Sequence, residues 1–234
     1  MAAKPPLRLT PLNRVLSPPL NLYPPNTPPD LYASALNHFT SIPWCAALLS
    51  PSSPSSPSSK CSSSDSPGPI ITFIPQCFNP LSPHHDQFVG ATLASHPRGL
   101  NHMLSFFRAS QLHDPTQLIQ RVDTLFSLGD GLSGYEGLLH GGMTATMMDE
   151  AMGTVNEINT ALGKEGLVYQ RSSMTAGMEI QFLRPVRVPG VVCVAAWREG
   201  GEGRKTRMRC EVRDGEGEVL VRGRSTWVAM KENL

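Results

Sequence analysis

Long apolar runs are missing from this chain of 234 residues. The longest, such as residues 191–197, fall far short of the roughly 20 residues that a membrane-spanning helix needs. No membrane span is therefore expected. Charge of one sign is missing too: 20 Lys and Arg against 19 Asp and Glu leave a net +1, without the global basic footprint of a nucleic-acid binder. Cysteine is sparse and unpatterned. Cys45, Cys61, Cys77, Cys193 and Cys210 are an odd set with no Cys-x-x-Cys spacing. Neither a disulfide framework nor a zinc site is expected, and the thiols read as reduced, in an intracellular compartment. A Gly-x-Ser-x-Gly elbow is absent, which argues against a Ser-His-Asp hydrolase.

Proline and glycine are each scarce in one part of the chain. Nineteen of 22 prolines precede residue 100, and 17 of 20 glycines follow it. The split predicts one globular domain over residues 98–231 behind an irregular extension. Residues 1–29 read as a disordered tail, because proline pairs block regular hydrogen bonding and few apolar residues offset the entropy of ordering. Lys4, Arg8 and Arg14, with no acid before Asp30, give the tail the bias of a mitochondrial transit peptide, while its prolines oppose the amphipathic helix of one. Cytoplasmic and mitochondrial placings both stay open. Residues 30–97 read as an irregular extension: a short helix from Asp30 that breaks near Pro43, a Pro/Ser-rich loop at 49–69, and an apolar patch at 70–74 consistent with a strand. His84, His85 and Asp86 stand in a row, but consecutive side chains diverge, so no metal is expected there.

In the globular part, GLNHMLSFFRA and LIQRVDTLFSLGDGLSG have the β-branched and aromatic content of strands. GLLHGGMTATMMDEAMG, residues 137–153, follows. Met143, Met147, Met148, Ala151, Met152, Val155, Ile158 and Leu162 recur at intervals of three and four, the pattern of a helix enclosed on most sides. The period then switches to two. Met174, Ala176, Met178, Ile180 and Phe182 alternate with Thr175, Gly177, Glu179 and Gln181, which predicts a half-buried strand with the apolar set facing the core, ended by Pro185. Residues 191–197, 206–212 and 219–230 continue as strands joined by glycine turns. One long helix followed by at least four antiparallel strands is an α+β architecture with the sheet curled around the helix.

The order strand, Gly137-x-x-His140-Gly141-Gly142, apolar helix with Asp149 nine positions after the histidine, then a meander, resembles the hotdog-fold acyl-CoA thioesterases of the His-Gly-Gly branch. That branch includes phenylacetyl-CoA thioesterases and thioesterase superfamily members. TAGMEIQFLRPV at 175–186 and EGRK at 202–205 look like the family's first strand after the helix and a later strand start. The resemblance covers about residues 98–231. It implies a hotdog fold, hydrolysis of acyl-CoA to free acid and coenzyme A, no cofactor, and a homodimer or tetramer with composite interface sites. It also implies Thr175 as the residue that positions water, and Arg204 and Lys205 as partners for coenzyme A phosphates.

Elementary chemistry supports the same residues. Gly141 and Gly142 open a helix, so their N–H groups lack intrahelical partners, and their missing side chains let a carbonyl approach: a candidate oxyanion hole. Asp149 stands among apolar and small residues, where a carboxylate serves as general base or as nucleophile. Helix rise puts it roughly 10 Å along the axis from Gly142, too far to attack a carbonyl held at the start of its own helix. Both groups act on one thioester only if Asp149 comes from a second, antiparallel copy. Duller readings stand beside these. His140 either orients the loop beside the thioester or caps the turn structurally; Thr175 is otherwise an ordinary strand threonine; Arg204 and Lys205 are otherwise solvated. Glu150 reads as a solvent or partner contact. Met148, with its neighbouring methionines, is adaptable core and a candidate wall of the acyl pocket. Release of an acyl chain from a carrier protein and a non-catalytic module that binds acyl-CoA or a protein are the competing functions.

Overall fold

The computed structural model describes residues 15–50, 68–81, 87–108 and 112–231. The readings made for residues 1–14, for most of the Pro/Ser-rich loop and for His84, His85 and Asp86 lie outside the described residues. Chain order is α1 (Leu31–Thr40), α2 (Pro43–Leu49), β1 (Ile70–Phe73), β2 (Leu100–Arg108) and β3 (Arg121–Leu128). A small hairpin, β4 (Ser133–Tyr135) and β5 (Leu138–Leu139), leads into the long helix α3 (Gly141–Ala161). The single turn α4 (Leu167–Gln170) precedes β6 (Ser173–Phe182), β7 (Gly190–Glu202), β8 (Lys205–Arg213) and β9 (Val219–Ala229). Seven strands form one sheet in the order β1-β2-β3-β7-β8-β9-β6, every neighbouring pair antiparallel. The helix α3 packs against β3, β6, β7, β8 and β9. This is the α+β hotdog arrangement, an antiparallel sheet wrapped around a central helix. Among the described residues no helix is long and apolar enough to cross a membrane.

The spacing of apolar residues in α3 translates directly into burial. Met143, Met147, Met148, Ala151, Met152, Val155 and Ile158 are all buried, because strands enclose the helix on several sides and leave room for apolar side chains around most of its circumference. Leu162 falls just past the end, as the C-cap.

The N-terminal segments depart from the reading based on composition. Strand β1 pairs with β2 from Ile70↔Arg108 to Phe73↔Ser105, so a boundary at residue 98 cuts through one sheet. Residues 15–17 are buried rather than disordered. Leu16 and Ile74 exchange backbone hydrogen bonds of 3.0 and 2.8 Å, and Ser17 Oγ donates to the Thr72 carbonyl at 2.9 Å. Prolines prevent a segment from making a ladder of its own, yet three residues need only an existing sheet edge to satisfy their backbone. Pro43 likewise starts α2 at its first turn, where a missing N–H costs nothing.

Both α1 and α2 belong to the sheet face opposite α3. The side-chain row from Arg213 through Cys193 and Leu125 to Leu104 marks that outer face by register. The His38 ring of α1 stacks on His102 of β2 at 4.2 Å. Phe39 and Cys45 are fully buried there, and a side chain at Gly215 would collide with Trp44.

Strand β6 differs from the simple alternation. Thr175 pairs with Trp227, but the next partner of β9, Thr226, pairs with Gly177, so Ala176 is an extra residue. The bulge reverses the faces. Ser173 and Thr175 turn toward α3 before it, Met178 and Ile180 pack on the core after it, and Met174 is left 57% exposed. The expected inward set therefore holds only beyond the bulge.

Candidate active site

The approach to α3 is clamped before the helix begins. Gly137 turns with φ +70°, a left-handed conformation that costs glycine little. The His140 N–H donates to the Leu132 carbonyl at 2.9 Å, the Leu139 N–H to Val186 at 2.9 Å, and the Val188 N–H to Gly137 at 3.0 Å. A Cβ on Gly134 would stand 3.0 Å from the His140 Cα, so only glycine allows this approach. Held in this way, His140 is the N-cap of α3 in an extended conformation, and its Nδ1 accepts from the Gly142 N–H at 2.9 Å. Its ring thus does the work that a Ser or Asp side chain does at most caps.

That cap revises the expected oxyanion hole. The Gly142 N–H already has an acceptor, so it is not a free donor. The Gly141 N–H, at the first helical position, has no intrahelical acceptor and sits at the positive end of the helix dipole. His140, Gly141 and Gly142 are all exposed. Phe182, at the end of β6, closes one side: its ring edge lies 3.6 Å from where a Cβ of Gly141 would stand, and the side chain is 58% exposed.

Two turns along α3, half-buried Asp149 accepts a hydrogen bond from Thr175 Oγ1 at 2.7 Å. The strand hydroxyl can reach it because the bulge turns Thr175 toward the helix. One carboxylate oxygen is thereby oriented, and hydrogen bonds to a charged acceptor are among the stronger ones. A second pair repeats the arrangement, with Asn156 Nδ2 donating to Ser173 Oγ at 3.3 Å. Sequence reasoning missed Phe182 and this pair. The available signal was spacing: Asn156 follows Asp149 by seven, two turns on one helix face, and Ser173 precedes Thr175 by two.

Other candidates lie apart. Met148 is fully buried, with its methyl against Gly223 of β9, so within one chain it belongs to the core and not to an open acyl pocket. Arg204 sits in the β7–β8 turn and donates from Nη1 to the Ala229 carbonyl at 2.9 Å. Lys205 is exposed and in register with Val228 and Met174, one position off the row that holds Thr175, hence on the other face. No cluster of three His, Cys, Asp or Glu side chains suited to a metal gathers among the described residues. Three of the thiols are unsuited to nucleophilic work. Burial, then the charges of Glu211 and Asp149, pushes Cys210 up to about 12, and burial does the same to Cys45. Cys193 is raised well above its ordinary value, chiefly by burial.

The arrangement thus offers a free N–H donor at one end of a helix and an oriented carboxylate roughly 10 Å along it. Residues 136–221 match the family model described as thioesterase superfamily. Over 142 residues the chain is 27% identical to verlamelin biosynthesis protein B of Lecanicillium sp, covering 52% of this chain and 62% of that one. Over 101 residues it is 38% identical to the acyl-coenzyme A thioesterase THEM4 of Bos taurus, covering 43% and 37%. In both cases the chain spans less than two thirds of the relative's length. Among solved structures, zebra fish thioesterase superfamily member 2 is similar with a TM-score of 0.46 and 14% identity over 64% of this chain and 90% of that one. The E. coli PaaI protein from the phenylacetic acid degradation operon gives 0.40 and 12% over 48% and 79%. The stretch that matches the thioesterase superfamily model, residues 136–221, is the one that holds the glycine turn, the central helix and the strands that follow.

Proposed function

We propose that this chain hydrolyses acyl-CoA thioesters to the free acid and coenzyme A, at composite sites shared by two copies. The observation that carries the reading is Asp149, oriented by Thr175 on the same helix whose first N–H group is unspent. Relatives named acyl-coenzyme A thioesterase support the substrate class. A relative named for a biosynthesis makes an acyl chain on a carrier protein the second substrate to test.

In the proposed reaction the Gly141 N–H polarises the thioester carbonyl and stabilises the oxyanion as it forms. His140 holds the turn that aims this N–H. Asp149 of the partner subunit keeps one oxygen on Thr175 and uses the other either to take a proton from water or to attack the carbonyl carbon itself. The carbon–sulfur bond then breaks. On the first route the water oxygen has joined the acyl carbon, and its proton passes by way of Asp149 to the leaving sulfur. On the second the acyl group remains on Asp149 as a mixed anhydride, the thiolate takes a proton from solvent, and water hydrolyses the anhydride to the free acid. Lys205 and the remaining donors of Arg204 are assigned to coenzyme A phosphates.

The two-copy site has a structural rationale. Strand β6 is an edge of the sheet and carries exposed Met174 and Phe182, with exposed Leu183 just past its end, whereas residues 15–17 border the opposite edge beyond β1. Unpaired edge backbone beside exposed apolar side chains favours pairing with a second chain. We infer a homodimer, or a tetramer built from such dimers. An intracellular placing, cytoplasmic or mitochondrial, is inferred from Cys45, Cys193 and Cys210, buried thiols that stand outside any disulfide among the described residues.

The deciding experiment is thiol release from a panel of acyl-CoAs and acyl-carrier thioesters by the wild type and Asp149→Asn, with oligomeric state measured for both. Asp149→Asn is expected to lose about 10²- to 10⁴-fold in rate. Equal rates remove Asp149 from the mechanism. Turnover of carrier thioesters alone reassigns the substrate, and no turnover of any thioester leaves a binding module.

A further inference from the structure

On the sheet face away from α3, the N-terminal helices leave β8, β9 and β6 open, and Arg222 and Arg224 are exposed there. Glu179, Gln181, Arg209, Arg222 and Arg224 surround a cavity of about 300 Å³ above the backbone of Cys210 and Gly223. This volume is at the small end of the range for ligand sites.

Register brings the charges together. Arg209 of β8 stands directly opposite Arg224 of β9, which stands opposite Glu179 of β6. The next row on the same face is Glu211, Arg222 and Gln181. Like charges directly opposed across strands are destabilising, and the protein meets only part of that cost internally. Arg209 leans to Glu199 at 3.4 Å and lies over the Trp197 ring at 5.1 Å. Arg222 reaches Glu211 at 3.3 Å, an acid that Arg213 also holds. Arg224 has no ion pair and no side-chain hydrogen bond among the described residues. One carboxylate, Glu179, faces three guanidinium groups in the cavity wall.

We propose that this cavity binds a phosphate-bearing anion. The planar forks of Arg224 and Arg222 match phosphate oxygens two at a time, Arg209 adds a third charge, and the Gln181 amide is a neutral donor. An anion seated here relieves the Arg209–Arg224 opposition that the fold compensates only in part. The site lies on the opposite sheet face from Asp149 and Thr175, so it stands whether or not the chain hydrolyses thioesters.

The test is calorimetric titration of the full chain at low salt with inorganic pyrophosphate and, separately, with adenosine diphosphate, which carries the same diphosphate. Saturable binding of one anion per chain is expected, at least tenfold weaker in Arg224→Gln and in Arg222→Gln and several-fold tighter in Glu179→Gln. All three positions line an exposed cavity, so the variants should fold, and circular dichroism verifies that they do. Comparable affinity for both ligands means that the phosphoryl groups alone are recognised; tighter binding of the nucleotide identifies it as the preferred source. Absence of binding by either ligand overturns the proposal. So does wild-type affinity in both arginine variants, or a loss of binding in Arg204→Gln alone, which would place the anion at the β7–β8 turn.

Discussion

Thr175 donates its hydroxyl hydrogen to Asp149 Oδ1 across 2.7 Å, from the last paired position before the bulge in β6. A hydrogen bond to a charged group contributes about 1.5–3 kcal/mol, which corresponds to roughly tenfold to a hundredfold in rate if it is needed in the transition state. Thr175→Ala is therefore expected to lower kcat by that factor with little change in KM, and Thr175→Ser to restore most of it. Steady-state kinetics on one acyl-CoA decides this. Unchanged kcat in the alanine variant would reduce Thr175 to a strand residue.

Complementation tests the shared site. A side chain at Gly142 would begin 3.0 Å from His140 Nδ1, so Gly142→Val should disturb the cap and silence one half of each site. Asp149→Asn silences the other half. Mixing the two inactive proteins under subunit exchange should regenerate up to about a quarter of wild-type activity, because random pairing makes half the dimers hybrid and each hybrid has one intact site. Persistent inactivity of verified hybrids, or full activity in a monomer, would defeat the composite arrangement.

Gly153 makes an unusual stability prediction. Glycine to alanine inside a helix ordinarily stabilises by about 1 kcal/mol. Here the new Cβ would stand 2.9 Å from the Trp227 ring, which is buried and held by its Nε1–Ser225 Oγ hydrogen bond of 2.9 Å. Gly153→Ala should therefore destabilise by about 1–3 kcal/mol, visible as a lower denaturant midpoint. Gly177→Ala meets nothing within 4 Å and is the control expected to stay near wild type.

The stacked histidines under α1 set an acid-sensitivity window. Burial, and next the charge of His38, pulls His102 from 6.5 down to about 4, and burial lowers His38 as well. The unfolded chain takes up both protons from about pH 6.5 downward, while folded His102 resists until about pH 4 and folded His38 lags behind its unfolded counterpart. Stability from this pair is thus complete above pH 6.5 and is lost as pH falls toward 4. Tm should decline across that interval, and His102→Phe, which keeps a ring for stacking, should flatten the decline.

The central helix was readable because enclosure by strands forces apolar residues into intervals of three and four, and Asp149 stood out as the charge breaking that pattern. His140 was readable as a turn residue that either orients the loop or caps it, and the choice between the two depends on which way its ring nitrogen points. The start of the domain was misread for a physical reason. Proline counts measure whether a segment can form a ladder alone, whereas Leu16 and residues 70–73 use an edge supplied by strands far along the chain. Met148 was correctly placed in the core by period, but its seat against Gly223 depends on a tertiary contact that period does not report.

The bulge at Ala176 divides β6 into two frames that are out of phase by one residue. The frame before it presents a hydroxyl to the carboxylate, and the frame after it presents Met178 and Ile180 to the interior. Deleting Ala176 would set Thr175 and Gly177 on consecutive positions opposite Trp227 and Thr226, an unbroken alternation that keeps Thr175 toward the helix, Met174 outward and Met178 inward. The inserted residue is thus what brings Thr175, out of step in the sequence with Met178 and Ile180, onto the same face of the strand as they are.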